Sequence, residues 1–384
     1  MSDVGRIRVV FDAHALTPHR SGIGEYSWHL LRALVNGFRD RVELYLYVPS
    51  GIHPATSEKD ILRLTTDIHD GDFFKLQHQW RLPAMLRGGG YDLLHTPDFL
   101  VPLLCPVPVV CTIHDIIPIV HPEFIPRSLK VRLLPVFRAW ARRAAQHSAA
   151  VITDSAHSRD DIMRMLGGRE ERIAVVPLAP TLDVGAGSLP AEYAGQLQKG
   201  GYFLYVGRHD PYKGLAHLLR AFAEARENGG LGDVHLAVAG KSDARYGYLE
   251  LVTSLGLGEC VHFLDYVPPD ALSALYANAL AYVHPSLYEG FGLPPLDAMR
   301  HGTPVICSDR SSLPEVVGDA ALLVDPEQVK SFARILRNVA ESATLRSTLI
   351  QKGFEHVRQF SWNLTAAKTV DVYMRVIHAT QSPS

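Results

Sequence analysis

Short apolar runs rich in Val and Ile recur along this chain, each followed by a stretch with helical spacing. Runs this short, apolar at nearly every position, suit strands buried on both faces, and the stretches between them suit the crossovers of parallel βα units. In the first half the strand candidates are Ile7–Ala13, Glu43–Val48, Leu93–His95, Val107–Ile113, Ala150–Asp154 and Ile173–Pro177. In the second they are Tyr202–Val206, Val234–Ala239, Val261–Leu264, Ala279–His284, Thr303–Cys307 and Ala321–Val324. From Ala179 to Gly201 aliphatic residues thin out while Gly, Pro and Ala accumulate, as in a linker. The pattern predicts an α/β chain of two Rossmann-like parallel-sheet domains, whose carboxyl-terminal loops would face one cleft. The expected division is 1–180, a linker at 181–200, a second domain at 201–360, and a closing helix with its tail at 361–384. A length of 384 residues is enough for two separate cores.

Charge and cysteine usage narrow the function classes. A net charge of −2 gives no bulk attraction to nucleic acid, and none is expected as a partner. Cys105, Cys111, Cys260 and Cys307 fall in apolar runs without metal or disulfide spacing, which predicts buried thiols in a reducing compartment. The first ten residues carry charges inside their apolar run, unlike a signal peptide, and no apolar run approaches a membrane span. These features predict a cytoplasmic protein.

The segment from His284 to Pro326 carries the most chemistry. After a buried strand ending at His284, Glu289-Gly290-Phe291-Gly292 must be a loop. Pro294 and Pro295 suit the first turn of a helix, where a missing N–H costs nothing. Leu296 and Met299 would face inward and Gly302 would end that helix. Glu289 and the backbone of Phe291, Gly292 and Leu293 then lie where a helix opens at the carboxyl end of a parallel strand. Unpaired N–H groups and the helix dipole make such a place receptive to anions and sugars.

The run SLYEGFGLPPL, followed by HGTPVICSD and LPEVVGDAALLVDP, resembles the signature of the retaining GT-B glycosyltransferases of family four (glycosyl transferases group 1), with a likeness to bacterial mannosyltransferases. That signature has two glutamates flanking seven residues. Here the first is Glu289, and the second position holds Asp297, a departure. The resemblance implies transfer of a hexose from a nucleotide-sugar donor, with mannose from GDP-mannose the leading choice. It also implies retention at the anomeric carbon and no metal or other cofactor. Glu289 would face the sugar ring. Asp297 would bind the ribose, its side chain about 1.5 Å shorter than glutamate, or else simply complement the helix dipole.

Three other loops gain meaning beside that signature. In YFLYVGRHDPYKG, Arg208 and Lys213 precede a helix whose N-terminus disfavours a lysine by up to ~1 kcal/mol unless an anion sits there. The resemblance assigns both to the donor diphosphate. Ser21-Gly22-Ile23-Gly24 opens a helix after the first strand, and in the resembled family such a glycine loop covers the donor phosphates. Ser27 stands where a dinucleotide fingerprint needs its third glycine, so a nicotinamide dehydrogenase fits poorly. His114-Asp115 ends a buried strand; the resemblance places His114 against the donor sugar, while Asp115 reads equally as a turn cap. Ser155 or Ser158, with acids behind, reads as a helix cap.

The acceptor is least defined. Arg127 to Arg143 holds six basic residues and no acid, interleaved with Leu, Val, Phe and Trp. Two readings stay open: an amphipathic helix on an anionic membrane surface through 127–143, or a core helix kinked at Pro135. The first suits a polyprenyl-linked saccharide acceptor and a peripheral place on the inner face of the plasma membrane; a free saccharide is the other option. Rival functions are a non-catalytic nucleotide-sugar binder in glycan assembly and a GT-B phosphorylase or sugar-phosphate synthase.

Overall fold

The computed structural model describes residues 6–16, 22–49, 62–66, 78–125, 129–185, 189–227, 230–241 and 243–381. It divides into two compact units. Met1–Val120, Leu129–Leu178 and Ser361–Ser384 form the first, His121–Ser128 and Ala179–Phe360 the second.

Unit 1 is built on seven strands: β1 (Ile7–Asp12), β2 (Val42–Pro49), β3 (Leu62–Thr66), β4 (Leu93–Thr96), β5 (Val109–Thr112), β6 (Ala150–Thr153) and β7 (Ile173–Val175). All pair parallel, in the order β3-β2-β1-β4-β5-β6-β7. Every residue of β4, β5 and β6 is buried, as expected of strands covered on both faces. The strand order reverses between β1 and β4, so the loops leaving their carboxyl ends part and open a crevice. β3 was not anticipated. Its alternation Leu-Arg-Leu-Thr-Thr lacks the Val and Ile run that marks the other strands, and it lies at the sheet edge.

The Leu134–His147 helix settles one of the open readings. Phe137, Ala141, Ala144 and Ala145 enter a core with Ile113, Val151 and Ile162, so the apolar stripe faces protein. Of the two readings left open for this stretch, the core helix is the one its apolar stripe fits: periodicity shows that one face is buried, not what buries it. The closing Trp362–Gln381 helix belongs to unit 1, with Trp362 stacked on His29 at 4.9 Å and Thr365 Oγ1 donating to the Pro177 carbonyl at 2.8 Å.

Unit 2 holds six parallel strands: β8 (Tyr202–Val206), β9 (His235–Ala239), β10 (Val261–Asp265), β11 (Ala281–His284), β12 (Val305–Ser308) and β13 (Leu322–Val324). Their order is β10-β9-β8-β11-β12-β13, reversing between β8 and β11. Phe203, Phe222, Leu236, Val283, Phe332 and Leu336 fill the core, and each such side chain contributes about 1.5–3 kcal/mol by leaving water. Residues 181–200, expected as a linker, are part of this unit, and Leu197 is buried in it. The short turn Pro122–Phe124 also belongs here, although it follows β5 in sequence. Phe124 stacks on Tyr212 at 5.9 Å and His121 meets Tyr288 at 5.3 Å.

Among the described residues no helix is long and apolar enough to cross a membrane. Cys111, Cys260 and Cys307 are free and buried, whereas Cys105 is only half-buried because its proline-rich loop lies at the surface.

Candidate active site

The reversal between β8 and β11 gathers most of the residues singled out in the second half of the sequence. β8 leads into Gly207 and Arg208, whose carbonyl accepts a hydrogen bond from Tyr205 Oη at 3.0 Å. A tight turn, Pro211–Lys213, then ends at Gly214 with φ +76°. A Cβ on Gly214 would stand 2.0 Å from the Pro285 carbonyl oxygen, so only glycine lets this turn seat on the loop after β11. That seating brings Lys213 to Glu289.

Glu289 is 8% exposed and closely held. Lys213 Nζ donates to both carboxylate oxygens, at 2.7 and 2.9 Å. His284 Nε2 donates to Oε1 at 3.1 Å, and Tyr282 Oη lies 2.7 Å from His284 Nδ1, fixing the ring. Burial alone would raise the Glu289 pKa. The Lys213 ammonium and the His284 hydrogen bond outweigh it and hold the carboxyl well below the usual range, so it is an anion at neutral pH. The Glu289 N–H donates to Ser311 Oγ at 2.8 Å, and Ser312 Oγ lies 2.9 Å from the Glu289 carbonyl and 3.1 Å from that of Phe291. Ser311 itself sits at φ +53°, a left-handed conformation costing a non-glycine residue roughly 1–2 kcal/mol.

The loop then turns into the Leu293–Arg300 helix through Gly292 at φ +99°, where a Cβ would stand 2.6 Å from Leu313 Cδ2. Pro294 and Pro295 occupy the first turn, and Leu296 and Met299 face the core. The Phe291 side chain is buried near Phe360, so only its backbone can serve a ligand. The N–H groups of Gly292 and Leu293 open the helix without intrahelical acceptors. Arg208 stands apart. It is 77% exposed and pairs with Asp210 at 2.7 Å.

Unit 1 carries its own polar cluster at the β1/β4 reversal and along the neighbouring strand ends. His114 Nδ1 is 2.7 Å from Asp154 Oδ2, while Nε2 is buried with no protein partner. Burial lowers the His114 pKa, but the Asp154 charge and hydrogen bond prevail and raise it. Tyr26 packs edge-on against this ring at 4.6 Å and bonds Thr112 at 2.9 Å. His14 lies between Asp12 (3.0 Å) and Asp98 (3.4 Å). These two carboxylates overcome its burial and push its pKa up to about 10. Asp115 caps a turn by accepting from Ile117 N, and Ser155 caps the Ala156–Leu166 helix through Ser158 N. Gly22 is exposed at the start of the Gly22–Gly37 helix and Gly24 is buried in its first turn; Ser21 lies outside the described residues.

Family models match almost the whole length: residues 5–180 fit Glycosyltransferase Family 4 and residues 194–356 fit Glycosyl transferases group 1. The chain is also 30% identical to O-antigen chain mannosyltransferase B of Escherichia coli, an alignment covering 96% of this chain and 99% of that one. The chain belongs to glycosyltransferase family 4. Another relative by sequence is the MMP alpha-(1->4)-mannosyltransferase of Mycolicibacterium hassiacum, 31% identical over 76% of this chain and 72% of that one. The fold matches that of sucrose-phosphate synthase from Thermosynechococcus elongatus, with a TM-score of 0.77 at 22% identity over 97% of this chain and 100% of that one. These likenesses establish a GT-B architecture of two α/β units and a glycosyltransferase.

Asp297, the departure from the family-four signature, has an unexpected setting. It is 4% exposed, and its carboxylate accepts from Thr181 N (2.8 Å), Leu182 N (3.0 Å) and Thr181 Oγ1 (3.1 Å). Burial raises its pKa, and these hydrogen bonds offset that only in part. Sequence reasoning also passed over His284, Ser311, Ser312 and Asp154. Only His284 left a signal, as a polar residue closing a buried strand five positions before Glu289.

Proposed function

We propose that this glycosyltransferase moves mannose from GDP-mannose to a saccharide or polyprenyl-linked saccharide acceptor, with retention at the anomeric carbon and without a metal cofactor. The observation that carries the reading is the buried Glu289 carboxylate, clamped by Lys213 and His284 beside a helix N-terminus at the strand-order reversal of unit 2. The mannosyl choice draws on the names of the two bacterial relatives.

The donor diphosphate is assigned to Lys213, Arg208 and the N–H groups of Phe291, Gly292 and Leu293. As the bond from the anomeric carbon to the diphosphate breaks, negative charge grows on the leaving oxygen, and preorganised cations and N–H dipoles stabilise it. Lys213 would then be shared between the diphosphate and Glu289. The Glu289 carboxylate, kept ionised by its neighbours, orients the sugar and stabilises the positive charge on its ring. The acceptor hydroxyl oxygen forms the new bond on the same face, and its proton passes to the departing phosphate. His114 is assigned a sugar contact, supported by its unpartnered Nε2, and Gly22 and Gly24 a phosphate contact. Asp297 is assigned to holding Thr181 and Leu182 rather than the ribose, because its oxygens are already engaged.

The test is proton NMR of the product formed from GDP-mannose and a short mannan acceptor, with and without EDTA. An α-linked product at undiminished rate in EDTA is expected. A β-linked product, or a rate abolished by EDTA and restored by a divalent cation, would overturn the corresponding part of the reading. UDP-glucose used in preference to GDP-mannose would overturn the donor.

A further inference from the structure

Among the described residues two that are not glycine carry a positive φ, Asp265 at +51° and Ser311 at +53°. Ser311 lies in the turn between β12 and the Leu313–Val317 helix, and its side chain reaches the candidate site. There Oγ accepts from the Glu289 N–H at 2.8 Å. A glycine would take this backbone conformation without strain, but it would offer no oxygen to that N–H. A strained backbone whose side chain is bonded to a buried acid of the site points to a role for that side chain.

Neighbouring contacts hold the turn in place. Arg310 pairs with Asp325 at 2.9 Å and with Glu327 at 3.1 Å, and its N–H donates to Ser308 Oγ at 3.2 Å. Leu313 N donates to the Arg310 carbonyl at 3.2 Å, closing the turn around Ser311 and Ser312. Ser312 is fully buried and its Oγ serves the carbonyls of Glu289 and Phe291, while the Leu313 side chain lies against Gly292. The turn thus grips the loop at residues 289, 291 and 292. Leu287 N ties the same loop to the Tyr212 carbonyl at 2.7 Å. Glu289 is therefore held at its N–H and carbonyl by the turn after β12, and at its carboxylate by Lys213 and His284.

We propose that Ser311 is a positioning residue for the glycosyl transfer: its hydroxyl, set by the left-handed turn, fixes the Glu289 backbone so that the carboxylate points at the sugar of the nucleotide donor. The proposal rests on the role proposed above for Glu289 and deepens it. Lys213 and His284 set the charge of the carboxylate and the way it can rotate, whereas bonds to the main chain set where its Cα lies. Residues 285–292 lie in neither strand nor helix, so no regular ladder places Glu289. A group facing the reacting centre that moves by about 1 Å can cost roughly hundredfold in rate. A small shift of this loop therefore shows in turnover before it shows in binding.

Ser311→Gly and Ser311→Ala separate the hydroxyl from the strain. Both lose the acceptor, and only the alanine keeps the left-handed cost. Urea unfolding should give Ser311→Gly the higher midpoint of the two. Even so, kcat with GDP-mannose and a mannan acceptor should fall roughly tenfold or more in both, with GDP affinity within about twofold of wild type. A merely structural role would make activity follow stability, so wild-type kcat in Ser311→Gly would overturn the proposal. Hydrogen exchange followed by NMR reads the contact without substrate. The Glu289 amide should exchange at least roughly tenfold faster in both variants, and unchanged protection would overturn the proposal. In a Glu289→Gln background Ser311→Gly should remove no more than about twofold further, whereas losses that multiply would overturn action through Glu289. Wild-type turnover in Glu289→Gln alone would bring down the role of Glu289 and this proposal with it. Reduced turnover there, beside wild-type kcat in Ser311→Gly, would bring down this proposal alone.

Discussion

Glu289 and Asp297 stand eight residues apart, one in the loop and one within the helix that follows it, both buried carboxylates, yet they are set up in opposite ways. Glu289 has a lysine and a histidine on its oxygens and is held ionised. Asp297 has only hydrogen-bond donors from Thr181 and Leu182, and burial leaves its pKa raised. The difference is between charge compensated by charge and charge compensated by dipoles. A carboxylate facing a lysine can share that cation when an anionic ligand arrives, because the ammonium has three donors and can serve both. A carboxylate saturated by backbone N–H groups is committed to the chain that supplies them. Under the proposed function the contrast separates a ligand-binding acid from an anchoring one, although the sequence pattern presents them as a pair.

Four changes would break or sharpen that contrast. Lys213→Ala leaves Glu289 buried without its cation and should lower stability by about 3–5 kcal/mol in urea unfolding. A loss under 1 kcal/mol would show that water compensates Glu289 without the lysine. Glu289→Gln should lower turnover roughly hundred- to thousandfold, the size of one preorganised electrostatic contact, while GDP affinity changes little. Asp297→Asn should lower stability by about 1–3 kcal/mol, through an amide that can no longer accept on both sides, and leave GDP affinity within about twofold. A large loss of GDP affinity with stability intact would return Asp297 to the ribose. Arg208→Ala, which removes an exposed guanidinium from the buried Asp210 carboxylate, should change stability by about 1 kcal/mol or less, since Tyr246 Oη still donates to Asp210. Its effect should instead appear in diphosphate affinity.

The two acids also pull stability in opposite directions with pH. Glu289 has a folded pKa below its unfolded value of 4.5, so its contribution is present above that value and is lost as pH falls through the folded pKa. Asp297 has a folded pKa above its unfolded value of 3.8, so its contribution is full below 3.8 and is lost as pH rises through the folded pKa. Unfolding followed from neutral to acid pH should show Asp297→Asn becoming more damaging as pH falls and Glu289→Gln less so. Parallel curves for the two variants would contradict the assignment.

How much of this was legible beforehand follows from the range of the interactions. Strands with continuous Val and Ile runs were readable, because burial on both faces writes itself into composition; β3, alternating and at an edge, was not. The Gly-Phe-Gly loop and the prolines of the Leu293–Arg300 helix were readable because their geometry is set within a few residues, whereas Lys213 showed only as a cation at a helix start, its partner Glu289 lying 76 residues away. Thr181 lies 116 residues from Asp297 and Asp154 lies 40 from His114, and no local pattern reports partners so distant. The setting of the Leu134–His147 helix stayed open for another reason. An apolar stripe looks the same whether protein or lipid covers it, and only the packing of Phe137 and Ala141 decides.

The central claim is that Lys213 and Glu289 mark a nucleotide-diphosphate site. Calorimetric titration of GDP, UDP and ADP, without added metal, into wild type and Lys213→Ala tests it most directly. The account predicts preferential binding of GDP to wild type, weakened at least roughly tenfold in the variant by loss of a charge-assisted contact. Equal affinity of wild type and variant, or no binding of any of the three to wild type, would contradict it.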